Sequence, residues 1–310
     1  MPAAGGGYGY FPADPVWSLD ISTAALDSQS SNLISWLSDA GGWGNGNKMQ
    51  VDFSFTILHA DATTPMLSFV KNSGYYTPDC DKITTFPVPV GGSIEGFDGY
   101  TCSGGEDCHL LVVARINHKL YESYPSSVSN NQLHSTCGVI WDMTKVYPAS
   151  GRGEHCTSTD AAGFPVTPLL FTADELKAGV INHAIRFILP NARIAKGFYV
   201  HPATHTGGPS GPATAVPYGA HFRLKANYDV SKLKPAAQIV ARAMQKYGMF
   251  LSDGGNIALT AADDRFTTAK YQDVGFSSQD LSDLNVTDFE MVDGGARISD
   301  NNNTDCVRNP

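Results

Sequence analysis

LLVVARINHKLYESY, residues 110–124, decides the fold class. Leu110–Ile116 and Lys119–Tyr124 read as two strands, and the intervening Asn117-His118 reads as a tight hairpin turn. Working outward, VDFSFTIL (51–58) alternates apolar and polar residues. GVIWDM (138–143), HAIRFIL (183–189), GFYVH (197–201) and AHFRLKA (220–226) continue the pattern. The 31 glycines and 18 prolines are spread along the chain, as many short strands joined by turns require. The expected fold is therefore mainly β. It is a β-sandwich or barrel-like single domain over residues 1–310, with two or three short helices. Residues 1–20 form an extended N-terminal arm, and Cys306 pins a polar tail over 295–310.

The helical signals are local. Residues 23–39 can hold one helix ending before Gly41. Thr172 and Glu175 have capping-box spacing, and Gly179 stands where a C-terminal glycine belongs. In KPAAQIVARAMQKYG, Pro235 fits the first helical turn and Gly248 fits the position just past the end. Ile239, Ala243 and Tyr247, with Val240 and Met244 beside them, form one apolar stripe that reads as core packing.

Composition narrows the function. Apolar residues make up 42% of the chain and charged residues only 16%, so Ser, Thr, Asn, Gly and Tyr must supply much of the polar surface. That balance suits neutral, hydroxyl-rich partners. The net charge of -9 disfavours nucleic acid, and no apolar run is long enough to span a membrane. The opening MPAAGGGYGYFPADP lacks the basic and apolar regions of a secretory leader. Secretion is instead expected from the cysteines and from the Asn-x-Thr sequons at Asn285 and Asn302. The six cysteines contain no C-x-x-C pair and fit three disulfides. The expected pairs are Cys102–Cys108, Cys137–Cys156 and Cys80–Cys306. No G-x-S-x-G elbow, phosphate-binding loop or dinucleotide fingerprint is present.

Several residues can carry chemistry. Asp160 lies in a loop stiffened by small residues and prolines, and is the leading catalytic candidate; its bland alternative is a turn aspartate. Glu95 in GGSIEG and Asp253 in SDGGN are further acids at glycine-flanked positions. Glu122, inside an apolar strand, needs a partner. His183 and His205 can shuttle protons or bind hydroxyls. His201 and His205, with His183 or His221 as a third ligand, offer a divalent-metal site. Arg186, Arg223, Lys225 and Tyr121 are substrate-binding candidates. Arg223 and Lys225, two apart on a strand, share a face, which is otherwise simply an exposed sheet face. The aromatics Tyr8, Tyr10, Phe11, Trp17, Trp36, Trp43, Tyr75 and Tyr76 can stack on sugar rings; equally, the N-terminal arm can pack over the core.

GEHCTSTDAAGFPVTPLLFTADELKAGVINHAIRFILP, followed by YVHPATH, PYGAHFRLKANYDVS and AQIVARAMQKYGMFLSDGGN, resembles a family of secreted microbial proteins with no established activity. FPADPVW, PVGGSIEG and CHLLVVARINHKLYE extend the resemblance to about two thirds of the chain. It implies one integrated domain. Relatives often carry an aromatic at the position of His201 and a His at that of His205, which weakens a metal site needing both.

The leading expectation is a secreted carbohydrate-active enzyme that cleaves a glycosidic bond: a hydrolase, or a lyase if the substrate is a uronate polymer. It would need no cofactor and act as a monomer on a polysaccharide or oligosaccharide. The alternatives are a metal-dependent secreted enzyme and a non-catalytic glycan or cell-wall binding module.

Overall fold

The computed structural model describes residues 9–12, 16–74, 79–105, 107–300 and 305–309. Its elements in chain order are α1 (Ser30–Asp39), α2 (Gly44–Asn47), β1 (Val51–Phe55), β2 (Ile57–His59), β3 (Met66–Lys71), β4 (Thr85–Pro87) and β5 (Leu110–Ala114). Then come β6 (Lys119–Ser129), β7 (Gln132–Asp142), β8 (Gly153–Glu154), α3 (Ala173–Ala178), β9 (Ile185–Leu189), β10 (Ile194–Tyr199), β11 (Val216–Tyr218) and β12 (His221–Leu224). The last are α4 (Pro235–Lys246), β13 (Met249–Gly254), β14 (Leu259–Ala262), β15 (Phe289–Val292), β16 (Ile298–Ser299) and β17 (Val307–Arg308). Strand outweighs helix, and the mainly β expectation holds.

Two six-stranded mixed sheets dominate, in the orders β1-β14-β9-β13-β12-β15 and β2-β5-β6-β7-β3-β4. One stretch of chain joins them. β1 pairs with β14 and, one residue later, β2 pairs with β5, so residues 51–59 form the seam between the sheets. Phe55, Leu111, Val166, Leu170 and Ala262 fill that seam.

The hairpin read from residues 110–124 is present. β5 and β6 pair antiparallel from Ala114 and Lys119, across a 3-10 turn that ends on His118 in the left-handed conformation. Every residue of β5 is buried, so the strand is covered on both faces. Leu110, Val112 and Ala114 face a core shared with Phe86 and Leu133, while Val113 joins the main core on the other side.

The helices follow their sequence signals. Thr172 accepts from the Glu175 N–H while Glu175 accepts from the Thr172 N–H, closing the capping box. α4 starts at Pro235, and its buried stripe is Ala236, Val240, Ala243 and Met244. Ile239 is half-buried and packs against the same core, and Tyr247 is buried, so the expected stripe is the face that turns inward. Gly248 follows with φ +70°, and a Cβ there would stand 2.7 Å from both His221 Nε2 and the Phe222 carbonyl.

Cys102–Cys108 forms as expected, but the other two bridges are Cys80–Cys137 and Cys156–Cys306. Cys137–Cys156 and Cys80–Cys306 are therefore corrected. The reason is strand pairing: β17 lies against β8, with Val307 opposite Glu154, which brings Cys306 beside Cys156. Cys80 is set beside β7 by the Asp81 N–H donating to the Gly138 carbonyl. The tail is pinned by Cys306, as expected, though to a different partner. Three disulfides fit an extracellular or otherwise oxidising compartment, and no described helix is long and apolar enough to cross a membrane.

Residues 1–8 and 13–15 of the arm, Tyr75, Tyr76 and Asn302 lie outside the described residues. Tyr10, Phe11 and Trp17 are buried in the main core, Phe11 edge-on to Trp17 with centroids 5.2 Å apart. The arm thus supplies packing.

Candidate functional site

A polar cavity of about 230 Å³ opens where the loop 157–161, the start of β5 and the end of β13 meet. Asp107, His109, Tyr124, Asp160, His205 and Asp253 contribute to its walls, with Thr157, Ser158 and Thr159 between them. Such a volume is small beside the ~300–1,000 Å³ of drug-sized sites and suits one compact polar unit.

Beneath it lies Arg186 on β9, 2% exposed. Its Nε donates to Asp160 Oδ2 at 2.9 Å, Nη1 to Thr260 Oγ1 at 3.0 Å and Nη2 to Asp253 Oδ2 at 2.7 Å. The guanidinium carbon stands 5.1 Å from the centre of the Phe55 ring. A strand that pairs on both edges and carries a guanidinium inward needs this much compensation, because an unpaired buried charge is costly.

The two carboxylates on Arg186 differ. Asp160 has no side-chain exposure, and its second oxygen accepts from the Ala162 N–H at 3.0 Å. It is both the turn aspartate and an ion-pair partner, and its side chain is closed off from solvent. Asp253 is 28% exposed at the side chain, with Oδ1 accepting from the Gly254 N–H at 2.8 Å. Enclosure by protein raises the proton affinity of both carboxyls; Arg186 opposes the shift, and the mutual repulsion of the two acids reinforces it for Asp160.

His109 forms the other wall. Its Nδ1 lies 2.6 Å from Glu95 Oε2 and its Nε2 lies 2.8 Å from the Thr159 carbonyl oxygen. Both partners accept, so both ring nitrogens donate and the ring is an imidazolium. Burial alone would favour the neutral ring; the Glu95 carboxylate outweighs it and lifts His109 to about 9. Burial pushes Glu95 up, but His109 wins and holds it below the ordinary glutamate value. His205 donates from Nδ1 to the Ala161 carbonyl at 3.0 Å and contributes to the cavity wall.

The structure therefore brings Asp160, Asp253, His205 and Arg186 together, with Glu95 one hydrogen bond behind. The remaining candidates lie elsewhere. His183 is fully buried, donating to the Ala184 carbonyl and to Glu175, the capping-box acid of α3. Tyr121 packs edge-on to Phe86 in the second core. Arg223 pairs with Glu290 on β15, and Lys225 donates to the Thr287 carbonyl. His201 pairs with Glu154 at 2.7 Å, while His205 turns to Ala161. His221 stacks on Phe250 with centroids 3.8 Å apart, and burial lowers it to about 4. Among the described residues, the side chains whose donor atoms converge as a metal would need are Asp79, Cys156 and Cys306, and those two sulfurs are bonded to each other.

Sequence reasoning missed His109, Asp107 and Tyr124. The signal for His109 was available: an ionisable side chain heads the most apolar strand of the chain, directly before Leu110. Glu122, by contrast, finds its partners. Its oxygens accept from the Val166 and Thr167 N–H groups, Thr167 Oγ1 and Trp141 Nε1, which fastens residues 166–167 to β6 and β7.

No known protein family, curated protein or solved structure matches the chain.

Proposed function

We propose that the protein is an extracellular glycoside hydrolase acting on a neutral or basic sugar. The observation that carries this reading is Asp253: a half-enclosed carboxyl with raised proton affinity, tethered at both oxygens, facing a small polar cavity. Protonated Asp253 serves as general acid, giving its proton to the leaving oxygen as the glycosidic C–O bond breaks. Asp107, whose Oδ1 accepts from Tyr124 at 3.2 Å, takes a proton from the water that adds to the sugar carbon. His205 Nε2 accepts from a sugar hydroxyl. Arg186 and Asp160 are positioning residues that hold Asp253. A uronate lyase is disfavoured, since a substrate carboxylate would meet the Asp107 carboxylate, and the nearby cations are already paired, Arg186 with Asp160 and His109 with Glu95.

The test is product analysis on a panel of polysaccharides and aryl glycosides. Asp253→Asn is expected to lower kcat by about 10²–10⁴-fold with substrate binding retained. A panel that is bound but never cleaved would make the protein a binding module, and full activity in Asp253→Asn would overturn the assignment.

A further inference from the structure

A separate cavity, sharing no residue with that of Asp253, lies against α1. Its volume is about 460 Å³, within the ~300–1,000 Å³ of small-molecule sites. Gln29, Asn32, Leu33 and Trp36 line it at i, i+3, i+4 and i+7 spacing, so one face of the helix forms a wall. The other side is Thr214, before β11, and Arg297, before β16. β10 pairs with both of those strands, which carries the two segments to the same place.

Two side chains set what this cavity selects. Trp36 is half-buried, packed against the main core and bordering the cavity. Arg297 is also half-buried. Its Nη1 donates to the Ala213 carbonyl, and its Nη2 to the Ala215 carbonyl at 2.8 Å. A guanidinium has five N–H groups, so three are left for a ligand. Among the described residues no acid pairs with Arg297; Asp27, the acid whose charge it feels, accepts from the Gln29 N–H. Removal from water disfavours the charged guanidinium more than Asp27 supports it. The counter-charge it lacks is an anion, and its planar fork fits a carboxylate.

The rim around these two is polar. Asn32 Nδ2 donates to Gln29 Oε1 at 2.9 Å, which leaves the Gln29 amide to donate and the Asn32 oxygen to accept, with Thr214 opposite. An aromatic acid gives these groups nothing to bond. A ring bearing several hydroxyls uses them while its apolar face lies on Trp36.

We infer that this cavity is a binding site for a carboxylate-bearing sugar, a uronic acid unit of a glycan, with the carboxylate on Arg297 and the ring on Trp36. The unit held here is not the unit cut, because a uronate in the other cavity would meet Asp107. The inference goes beyond the proposed hydrolase and does not depend on it.

The experiment is calorimetry of the full chain with trigalacturonate and with its methyl ester, which keeps the rings and removes the charge. At low ionic strength the acid should bind about tenfold more tightly than the ester. Arg297→Gln should abolish that advantage and leave affinity for the ester within about twofold. Arg297 also clamps two carbonyls, so Asn32→Asp supplies a second reading that touches neither. It sets a negative charge on the exposed rim and should weaken the acid about tenfold, the ester less than about twofold. Trp36→Leu should weaken both forms alike, since both carry the ring. Benzoate, with a ring and a charge but no hydroxyls, should bind at least about tenfold more weakly than trigalacturonate. Equal binding of acid and ester, an advantage that survives either Arg297→Gln or Asn32→Asp, no loss in Trp36→Leu, or benzoate bound as tightly as the sugar acid overturns the inference. None of these outcomes bears on hydrolysis, which the Asp253→Asn kinetics test separately.

Discussion

Asp160 and Asp253 share one guanidinium but offer different things. Both are held at both oxygens by the protein, but the Asp160 side chain is closed off from solvent while Asp253 presents an edge to the cavity. If Asp253 is the general acid, kcat/KM should fall on the alkaline side as it loses its proton, with a midpoint above the ordinary aspartate value of 3.8. A basic limb near 4 in the pH–rate profile would contradict that role. At the same scale, the His109–Glu95 pair makes stability depend on pH. His109 is raised from 6.5 to about 9 on folding, so its contribution is complete below 6.5 and is lost as pH rises through about 9. Glu95 is lowered from 4.5, so its contribution is present above 4.5 and is lost as pH falls through its folded value. Thermal melts of the native protein should therefore show a decline in Tm between about pH 7 and 10, which His109→Gln removes. An unchanged slope in that variant would place the titration elsewhere.

Among the elements, α3 ties a helix cap to a buried histidine. Glu175 closes the capping box with Oε2 and pairs with His183 through Oε1. Thr172→Ala removes only one arm of the box and should cost about 1 kcal/mol in a urea melt. Glu175→Gln also strips the counter-charge from a fully buried imidazolium, so its cost should reach about 3–5 kcal/mol. Similar values for the two variants would show that the His183 pair contributes little. This element was legible before any coordinates: the Thr172–Glu175 spacing and Gly179 lie within eight residues, and cap geometry is set by local backbone. The role of His183 was not legible, because its pairing with Glu175 depends on how the chain beyond Gly179 folds back over α3, which spacing alone does not give.

At the scale of the molecule, Cys156–Cys306 closes a loop with a sequence separation of 150 and anchors the tail beside residues 157–160 of the cavity wall. Replacing both cysteines by serine should cost about 2–5 kcal/mol, read as a lower denaturant midpoint. Limited proteolysis should then cut first within the C-terminal tail; an unchanged midpoint and cleavage pattern would mean that strand pairing of β17 with β8 suffices. Alternation and turn residues in the sequence determined the β class, the 110–124 hairpin, the starts of α3 and α4 and one short-range disulfide, because each depends on neighbours a few residues apart. Which sheet each strand joins, which cysteines meet across 57 and 150 residues, and which acids face the cavity were decided only by tertiary packing. Arg186 shows why. Its strand could be read from sequence, but its partners Asp160, Asp253 and Thr260 come from three separate segments that meet only when the sheet closes around it.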